Sequence, residues 1–319
     1  MEFQSLVYEA LAPEELTGVI NQTDMEHRIM PGGVLSANVD VLVFEHATLQ
    51  QGRYEMGVHI SGAWPTGCVC LGLVVESPTT VAINGFLCPS RSVQLYSEGK
   101  ELNYCAAPGS TWFAYCAPRD YIQSFIVDLF GLPLPIPHDG VVSFKPNAQL
   151  ATSVTQLISS VFTSARTLSD NRTPAEPLPL LEQQLLYKIA LCVFGTQNSL
   201  SHSLEIRHAD KRKILMTRAE DFLMANLAEP FNLHRFALEV GTSARMLEYH
   251  FKKCYGITPN QWFRCMKLNA VRRELLADPG GSSTISRTAM AWGFSHLGRF
   301  SVEYRQLFGE TPKQTTKRK

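Results

Sequence analysis

Six residues near the C-terminus return at one fixed spacing. Leu247, Phe251, Tyr255, Gly256, Thr258 and Pro259 recur 53 positions later as Phe300, Tyr304, Phe308, Gly309, Thr311 and Pro312. Just upstream, Ala237 and Gly241 recur as Ala289 and Gly293 at a spacing of 52, so a one-residue difference falls inside a turn and leaves the flanking segments in register. A chain built this way is constrained to repeat one small supersecondary unit, and related helix-turn-helix units differ in this manner.

Each copy reads as a capped helix preceded by a short helix and a glycine corner. The apolar steps of four, Leu247/Phe251/Tyr255 and Phe300/Tyr304/Phe308, make one buried stripe on a helix. Ser243 and Ser295 stand just before these helices, where a side-chain oxygen satisfies free backbone amides. Gly241 and Gly293 supply the corner, and Gly256 and Gly309 end the helices. The Thr-Pro after each copy opens the next segment with proline where no backbone donor is needed.

The paired motifs, the second running from Trp292-Gly293-Phe294 to Phe308-Gly309-Glu310-Thr311-Pro312, resemble the DNA-binding domain of the AraC/XylS family of bacterial transcription regulators over residues 210–313. Within that family, residues 268–275 and 296–300 resemble the ethanolamine-operon regulators. The resemblance implies an all-α domain at 210–319 with two helix-turn-helix units, at about 232–256 and 284–309. Each holds a positioning helix (232–239, then 284–291) and a reading helix (244–255, then 296–308). A long helix over 260–277, with Trp262, Phe263, Met266, Val271 and Leu275 on one side, joins them rigidly. A leading helix over 210–227 turns Ile214, Leu215, Phe222 and Leu223 inward and Lys211, Arg212, Lys213 and Arg218 outward. Two reading helices held about 34 Å apart enter successive major grooves, so one chain would read a bipartite site.

Burial of Leu247 and Phe251 leaves Arg245, Glu248 and Tyr249 facing out near the start of the first reading helix. Arginine pairs with guanine O6 and N7, glutamate accepts from cytosine N4, and a tyrosine packs on a thymine methyl or bonds a phosphate. At the matching family positions of the second helix stand Leu297, Gly298, Ser301 and Val302, with Arg299 and Arg305 alongside. Such a face forms no paired hydrogen bonds to bases, which leaves two roles open to it: reading thymine methyls and shape, or holding the backbone. Ser243, Lys252, Lys253, Arg272, Arg273, Arg287, Ser295, His296 and Arg305 are the candidate phosphate contacts.

Charge divides the chain in the same place. Residues 1–204 hold nine Lys/Arg against eighteen Asp/Glu, and residues 205–319 hold twenty against eleven, so a formal charge of zero conceals an acidic part and a basic part. The basic part has the footprint of something that neutralises phosphates. The absence of a long apolar run and of a basic leader at Met1-Glu2-Phe3-Gln4 gives the expectation of a cytoplasmic protein with no membrane partner.

Between residues 39 and 127 the pattern is short and β-like, with strands expected at 39–44, 54–60, 68–75, 80–86, 92–96 and 111–115. Gly, Pro, Ser and Asn punctuate them, as a sandwich or small barrel requires. The family resemblance adds a cupin-like barrel as the sensor domain. Its aromatic residues Tyr54, Trp64, Tyr104, Trp112 and Tyr115 are candidate effector contacts, with core filling as the other reading. A metal-dependent enzyme needs converging histidines and a carboxylate, whereas His46 and His59 stand thirteen apart with no His-x-His pair. The expectation is therefore no metal, no cofactor and no catalytic residue. The eight cysteines, at 68, 70, 88, 105, 116, 192, 254 and 265, form no C-x-x-C pair and read as reduced and buried. The competing reading makes Cys68 with Cys70, or Cys105 with Cys116, an oxidant sensor.

Apolar periodicity predicts two further helices, over 149–163 and 180–194, separated by a proline-bearing loop at 169–179. Two arrangements satisfy them: a dimer interface, as the family resemblance implies, or packing on their own barrel. The expected organisation is a β-rich sensor at 1–145, a helical bridge at 146–197, a linker at 198–209 and the DNA-binding domain at 210–319. The α+β chain then reads as a ligand-responsive, sequence-specific transcription regulator, an activator and homodimer. Its expected partners are double-stranded DNA, a small effector and RNA polymerase. Two alternatives stand beside it: a cupin-type enzyme with an accessory DNA-binding domain, and a DNA-repair methyl acceptor, which would need a zinc-held cysteine cluster.

Overall fold

The computed structural model describes residues 2–9, 13–16, 18–20, 23–79, 81–138, 140–171, 177–195, 202–277 and 282–318. Its N-terminal part is a nearly closed antiparallel β-barrel. The strands are β1 (Glu2–Glu9), β2 (Glu26–Val43), β3 (Thr48–Ala63), β4 (Cys68–Glu76), β5 (Val81–Ile83), β6 (Phe86–Cys88), β7 (Val93–Tyr96), β8 (Glu101–Ala106), β9 (Ser110–Pro118) and β10 (Val141–Phe144). They run β10-β7-β4-β9-β3-β8-β5-β6, with β2 on β3 and β1 on β2. Curvature has identifiable sources. Strand β3 pairs with β9 along its first half and with β8 along its second. Strand β2 breaks register on both sides of Gly33, where a Cβ would stand 1.9 Å from the Glu55 carbonyl oxygen.

All six expected strand regions are extended, with one correction. Residues 80–86 do not form one strand, because Asn84 and Gly85 both take positive φ (47° and 74°) and turn the chain into the β5/β6 hairpin. Asn-Gly is the dipeptide that such a two-residue turn demands. Strands β1, β8 and β10 and helix α1 (Arg119–Phe130) fall outside the expected elements.

Strand alternation sorts the barrel residues onto two faces. On β9, Trp112, Ala114 and Cys116 belong to one core, while Phe113, Tyr115 and Ala117 belong to another. The second core lies under α1, α2 (Ala148–Asn171) and α3 (Pro177–Gly195), which bury Val161, Phe162, Leu185 and Ile189 against the sheet. The helical bridge thus packs on its own barrel.

The C-terminal part holds α4 (His202–Ala225), α5 (Leu233–Glu239), α6 (Ala244–Tyr255), α7 (Pro259–Ala277), α8 (Ser282–Ala291), α9 (Leu297–Phe308) and α10 (Pro312–Thr315). Because α4 starts at His202, the latter part of the expected linker is helical; residues 196–201 lie outside the described ones. Two expectations for this helix are overturned. Ile214 is exposed while Met216, Ala219 and Leu223 are buried, and Arg212 and Lys213 lie against the barrel, at the Gly85 carbonyl (3.2 Å) and the Phe86 ring (6.0 Å). The helix turns its basic side to the β5/β6 hairpin, a tertiary partner that periodicity does not reveal. Among the described residues no helix is long and apolar enough to cross a membrane.

The two parts share one apolar core. It runs from the barrel interior through Phe236, Phe251 and Trp262 to Phe300 and Tyr304. Asn269 on α7 secures the junction: its Oδ1 accepts from the Ile29 N–H (3.0 Å) and its Nδ2 donates to the Ile29 carbonyl (3.0 Å). Ile29 precedes the stretch of β2 that β1 covers (Ser36–Val43), so both bonds satisfy backbone groups on the open edge of the strand.

Candidate functional site

The two helix-turn-helix copies agree in local structure as well as in sequence. Helices α6 and α9 both span twelve residues and end on Gly256 (φ 71°) and Gly309 (φ 68°). Thr258 with Gln261, and Thr311 with Gln314, form the same reciprocal cap at the start of the next helix. The N-caps differ. Ser243 accepts from the Met246 N–H (3.2 Å), but the cap of α9 is His296, whose side chain makes no capping bond. The extra residue of the second turn lies between Gly293 and His296, so Ser295 stands one position too early to cap. Replacing Gly256 by alanine is expected to cost about 1–2 kcal/mol in urea denaturation, purely from the left-handed backbone, since nothing lies within 4 Å of the added Cβ.

Helix α6 buries Leu247, Phe251 and Cys254 and leaves Arg245 and Tyr249 exposed with Glu248 half-buried between them. Lys253 lies over the Tyr249 ring (5.1 Å), which props that ring on the outer face. Lys252 is exposed beside it. On α9, Phe300, Tyr304, Leu307 and Phe308 face the core, and Gly298, Arg299, Ser301, Val302 and Arg305 are exposed, with Leu297 half-buried. Arg299 is held by Glu303 one turn on (2.8 Å), and Ser301 donates to the Leu297 carbonyl (2.9 Å). Arg287, Ser295 and His296 are exposed near this end.

Two of the expected phosphate contacts are placed otherwise. Arg272 is 2 % exposed, with Nη1 2.6 Å from Glu310 Oε1 and Nε 3.1 Å from Glu14 Oε1. Its guanidinium is consumed inside the protein and cannot reach a phosphate. Arg273 is exposed but ion-paired with Glu26 of β2 (3.1 Å). Both arginines bond carboxylates of the N-terminal part.

Four of the five expected effector aromatics gather in the barrel. Tyr54, Trp64, Tyr104 and Trp112, with Ile60, Gln94, Tyr96 and Leu102, line a small cavity with about 40 Å³ of room for the centres of water-sized molecules. Tyr115 is the exception, and parity explains it: three positions from Trp112, it must lie on the opposite face. There it donates to Glu182 of α3 (2.7 Å). Glycines shape the cavity. A Cβ on Gly52 would fall 2.3 Å from the Trp112 ring, which lies across β3 and stacks on Tyr54 at 5.8 Å. Gln94, Tyr96 and Leu102 were missed by a reading weighted to aromatic strands; alternation on β7 and β8 would have indicated them.

The histidines near the cavity are structural. Burial pushes His27 down to about 4, against a weaker pull from its hydrogen bond with the Met25 carbonyl, and its Nε2 faces the Tyr54 hydroxyl (3.2 Å). Burial and the Arg28 charge push His59 down to about 3; it hydrogen-bonds Asn103 (2.5 Å) and packs edge-on to Trp262 (5.8 Å). Both are neutral in the fold. Since each folded value lies below the ordinary 6.5, their contribution is complete above pH 6.5 and is lost as pH falls towards 4 for His27 and towards 3 for His59. Urea midpoints are expected to drop over that window, and His27→Gln to flatten part of the slope.

The thiols pair differently from either expected couple. Cys70 and Cys116, opposite one another on β4 and β9, have sulfurs 2.9 Å apart. Burial pushes the Cys70 thiol up, while hydrogen bonds from Cys70 and Cys68 hold Cys116 down. Among the described residues no three His, Cys, Asp or Glu side chains gather as a metal site.

Residues 236–318 match the family model described as a helix-turn-helix domain. A probable thc operon regulatory protein of Rhodococcus erythropolis is 34% identical over 96 residues, 30% of this chain and 29% of that one. A XylDLEGF operon transcriptional activator of Pseudomonas putida is 36% identical over 103 residues, 32% and 31% of the two chains. The match therefore spans under a third of the length of these relatives. A solved AraC-type regulator structure from Chromobacterium violaceum is 33% identical, with 34% of this chain and 93% of that chain covered and a TM-score of 0.31. With two matched units, their caps and an outward reading face in place, the C-terminal third of the chain is a helix-turn-helix DNA-binding domain of the AraC/XylS family of transcription regulators.

Proposed function

We propose that the whole chain is a ligand-responsive, sequence-specific transcription regulator that reads DNA through α6 and α9 and senses a small molecule in the barrel. The observation that carries this reading is the outer face of α6. Arg245, Glu248 and Tyr249 stand on the side of a helix whose other side is anchored by Leu247 and Phe251, both fully buried. That helix presents an arginine, a carboxylate and an aromatic ring together, and these are side chains that discriminate base edges. Ser243, Lys252 and Lys253 around it, and Arg287, Ser295, His296 and Arg305 around α9, supply backbone contacts. The α9 face of Leu297, Gly298 and Val302 reads methyl groups and shape. Arg299, tied to Glu303, adds charge there.

Activation, RNA polymerase contact and a cytoplasmic setting belong to the same proposal, supported by the naming of the relatives as regulators and activators. Homodimerisation is supported by apolar side chains left outside the bridge: Val127, Leu129 and Leu132 near the end of α1, and Leu180 and Tyr187 on α3. The finer likeness to ethanolamine-operon regulators lies on α7 and α9, and it assigns no effector.

Footprinting on a selected operator tests the reading. Two protected segments one helical turn apart per chain are expected, and a single short segment would show that α9 enters no groove. Arg245→Ala is expected to weaken specific binding by about 1–3 kcal/mol and relax one base position; an unchanged site would remove Arg245 from base recognition.

A further inference from the structure

The walls of the barrel cavity carry a chemical signature. No Asp, Glu, Lys, Arg or His lines it among the described residues. Its polar groups are neutral, and three of them are buried without a hydrogen-bond partner: Trp64 Nε1, the Tyr104 hydroxyl and Gln94 Oε1. The Gln94 orientation is set by its own amide, whose Nε2 donates to the Ser92 carbonyl (2.8 Å) and hydroxyl (3.0 Å). A fourth group, the Trp112 indole N–H, lies by the Tyr54 hydroxyl in a geometry too poor for a hydrogen bond.

Each unpaired buried donor or acceptor costs about 1–3 kcal/mol, and native proteins hold few of them. A cavity that only filled space would carry leucine or phenylalanine at these positions. Gly72 lets two of the lining side chains lie close against β4. A Cβ on Gly72 would lie 2.8 Å from the Tyr96 ring and 3.3 Å from Gln94 Oε1. Burying a charge here, with no opposite charge in the lining, would cost far more than an unpaired neutral group.

We infer that the barrel takes a small uncharged molecule with an apolar body and one adjacent acceptor and donor, the pattern of a primary carboxamide. Its acceptor is met by the Trp64 N–H and Tyr104 O–H, and its donor by Gln94 Oε1. Carboxylates and amines of the same shape are refused. This rests on the reading of the barrel as an effector domain.

Three matched compounds test it on the full-length chain: benzamide, benzoate and benzylamine, each titrated while the melting temperature is recorded. Benzamide is expected to raise it in a saturable way, and the two ions are not. Trp64→Phe, which keeps the ring and removes the N–H, and Gln94→Met are each expected to weaken benzamide at least tenfold. If benzoate or benzylamine stabilises the wild type as well as benzamide does, and the variants lose that effect, the uncharged class is overturned while the effector reading stands. If benzamide binds both variants as it binds the wild type, its site is not this cavity and the inference fails. If none of the three acts, the inference fails too, and DNA recognition is still judged separately by the footprint.

Discussion

Arg272→Ala is expected to lower the free energy of unfolding by about 3–5 kcal/mol, the cost of removing one partner from a buried ion pair. The guanidinium bridges three places. It bonds Glu310 after α9, bonds Glu14 of the short 3-10 helix at Pro13–Leu16, and lies 5.0 Å over the Phe308 ring. Without it Glu310 keeps only Thr315 (2.8 Å) and Arg318 (2.8 Å). The double variant Arg272→Met with Glu310→Met removes both charges and should recover much of the loss. Specific DNA affinity per folded molecule should change less than threefold in either variant. A large loss of affinity with unchanged urea stability would mean that Arg272 meets DNA after all. Acid should act on the same cluster. Burial alone would raise the Glu310 carboxyl, but bonds from Thr315, Arg272 and Arg318 hold it below its ordinary value. Its contribution is therefore present above pH 4.5 and is lost as pH falls through that range.

Trp262→Ala is expected to cost about 3–5 kcal/mol by emptying a close-packed site. The indole is fully buried, with Phe251 and Tyr255 of α6 at 5.9 Å each and His59 of the barrel at 5.8 Å. Its Nε1 has no hydrogen-bond partner, so Trp262→Phe, which keeps most of the ring and removes an unpaired donor, should cost much less. Because this side chain joins both parts of the shared core, calorimetry should show one peak moved to lower temperature. A barrel peak left at its original position would show that the parts unfold separately.

The helical third was legible because its signals are local. Glycine corners, a serine cap and steps of four are written within twenty-five residues of each other, and each has one low-energy solution. The barrel was legible in its strands and less so in its closure, which depends on β3 choosing two partners and on a break in β2. Misplacements came from two causes. Tyr115 was grouped with Trp112 by residue type, where the two-residue period of a strand separates them. Arg272 was read as a phosphate ligand because it is basic and lies in a basic domain. Yet it stands three positions before Leu275 on a helix, on the buried stripe, and its partner Glu14 is 258 residues away. Helical spacing could have flagged the burial; nothing local could have named the partner.

The strand pair β3/β8 is a partition one residue thick. Ile60 and Tyr104 face the cavity, while His59, Cys105 and Asn103 lie against the helices that carry the first reading unit. Close-packed walls transmit strain, so a side chain enlarged on one face of the pair is felt on the other. The His59 edge rests on Tyr255, the last residue of α6, and the far end of that helix carries Arg245. The wall of the cavity and the seat of the first helix-turn-helix unit are thus one pair of strands, which neither side can rebuild alone.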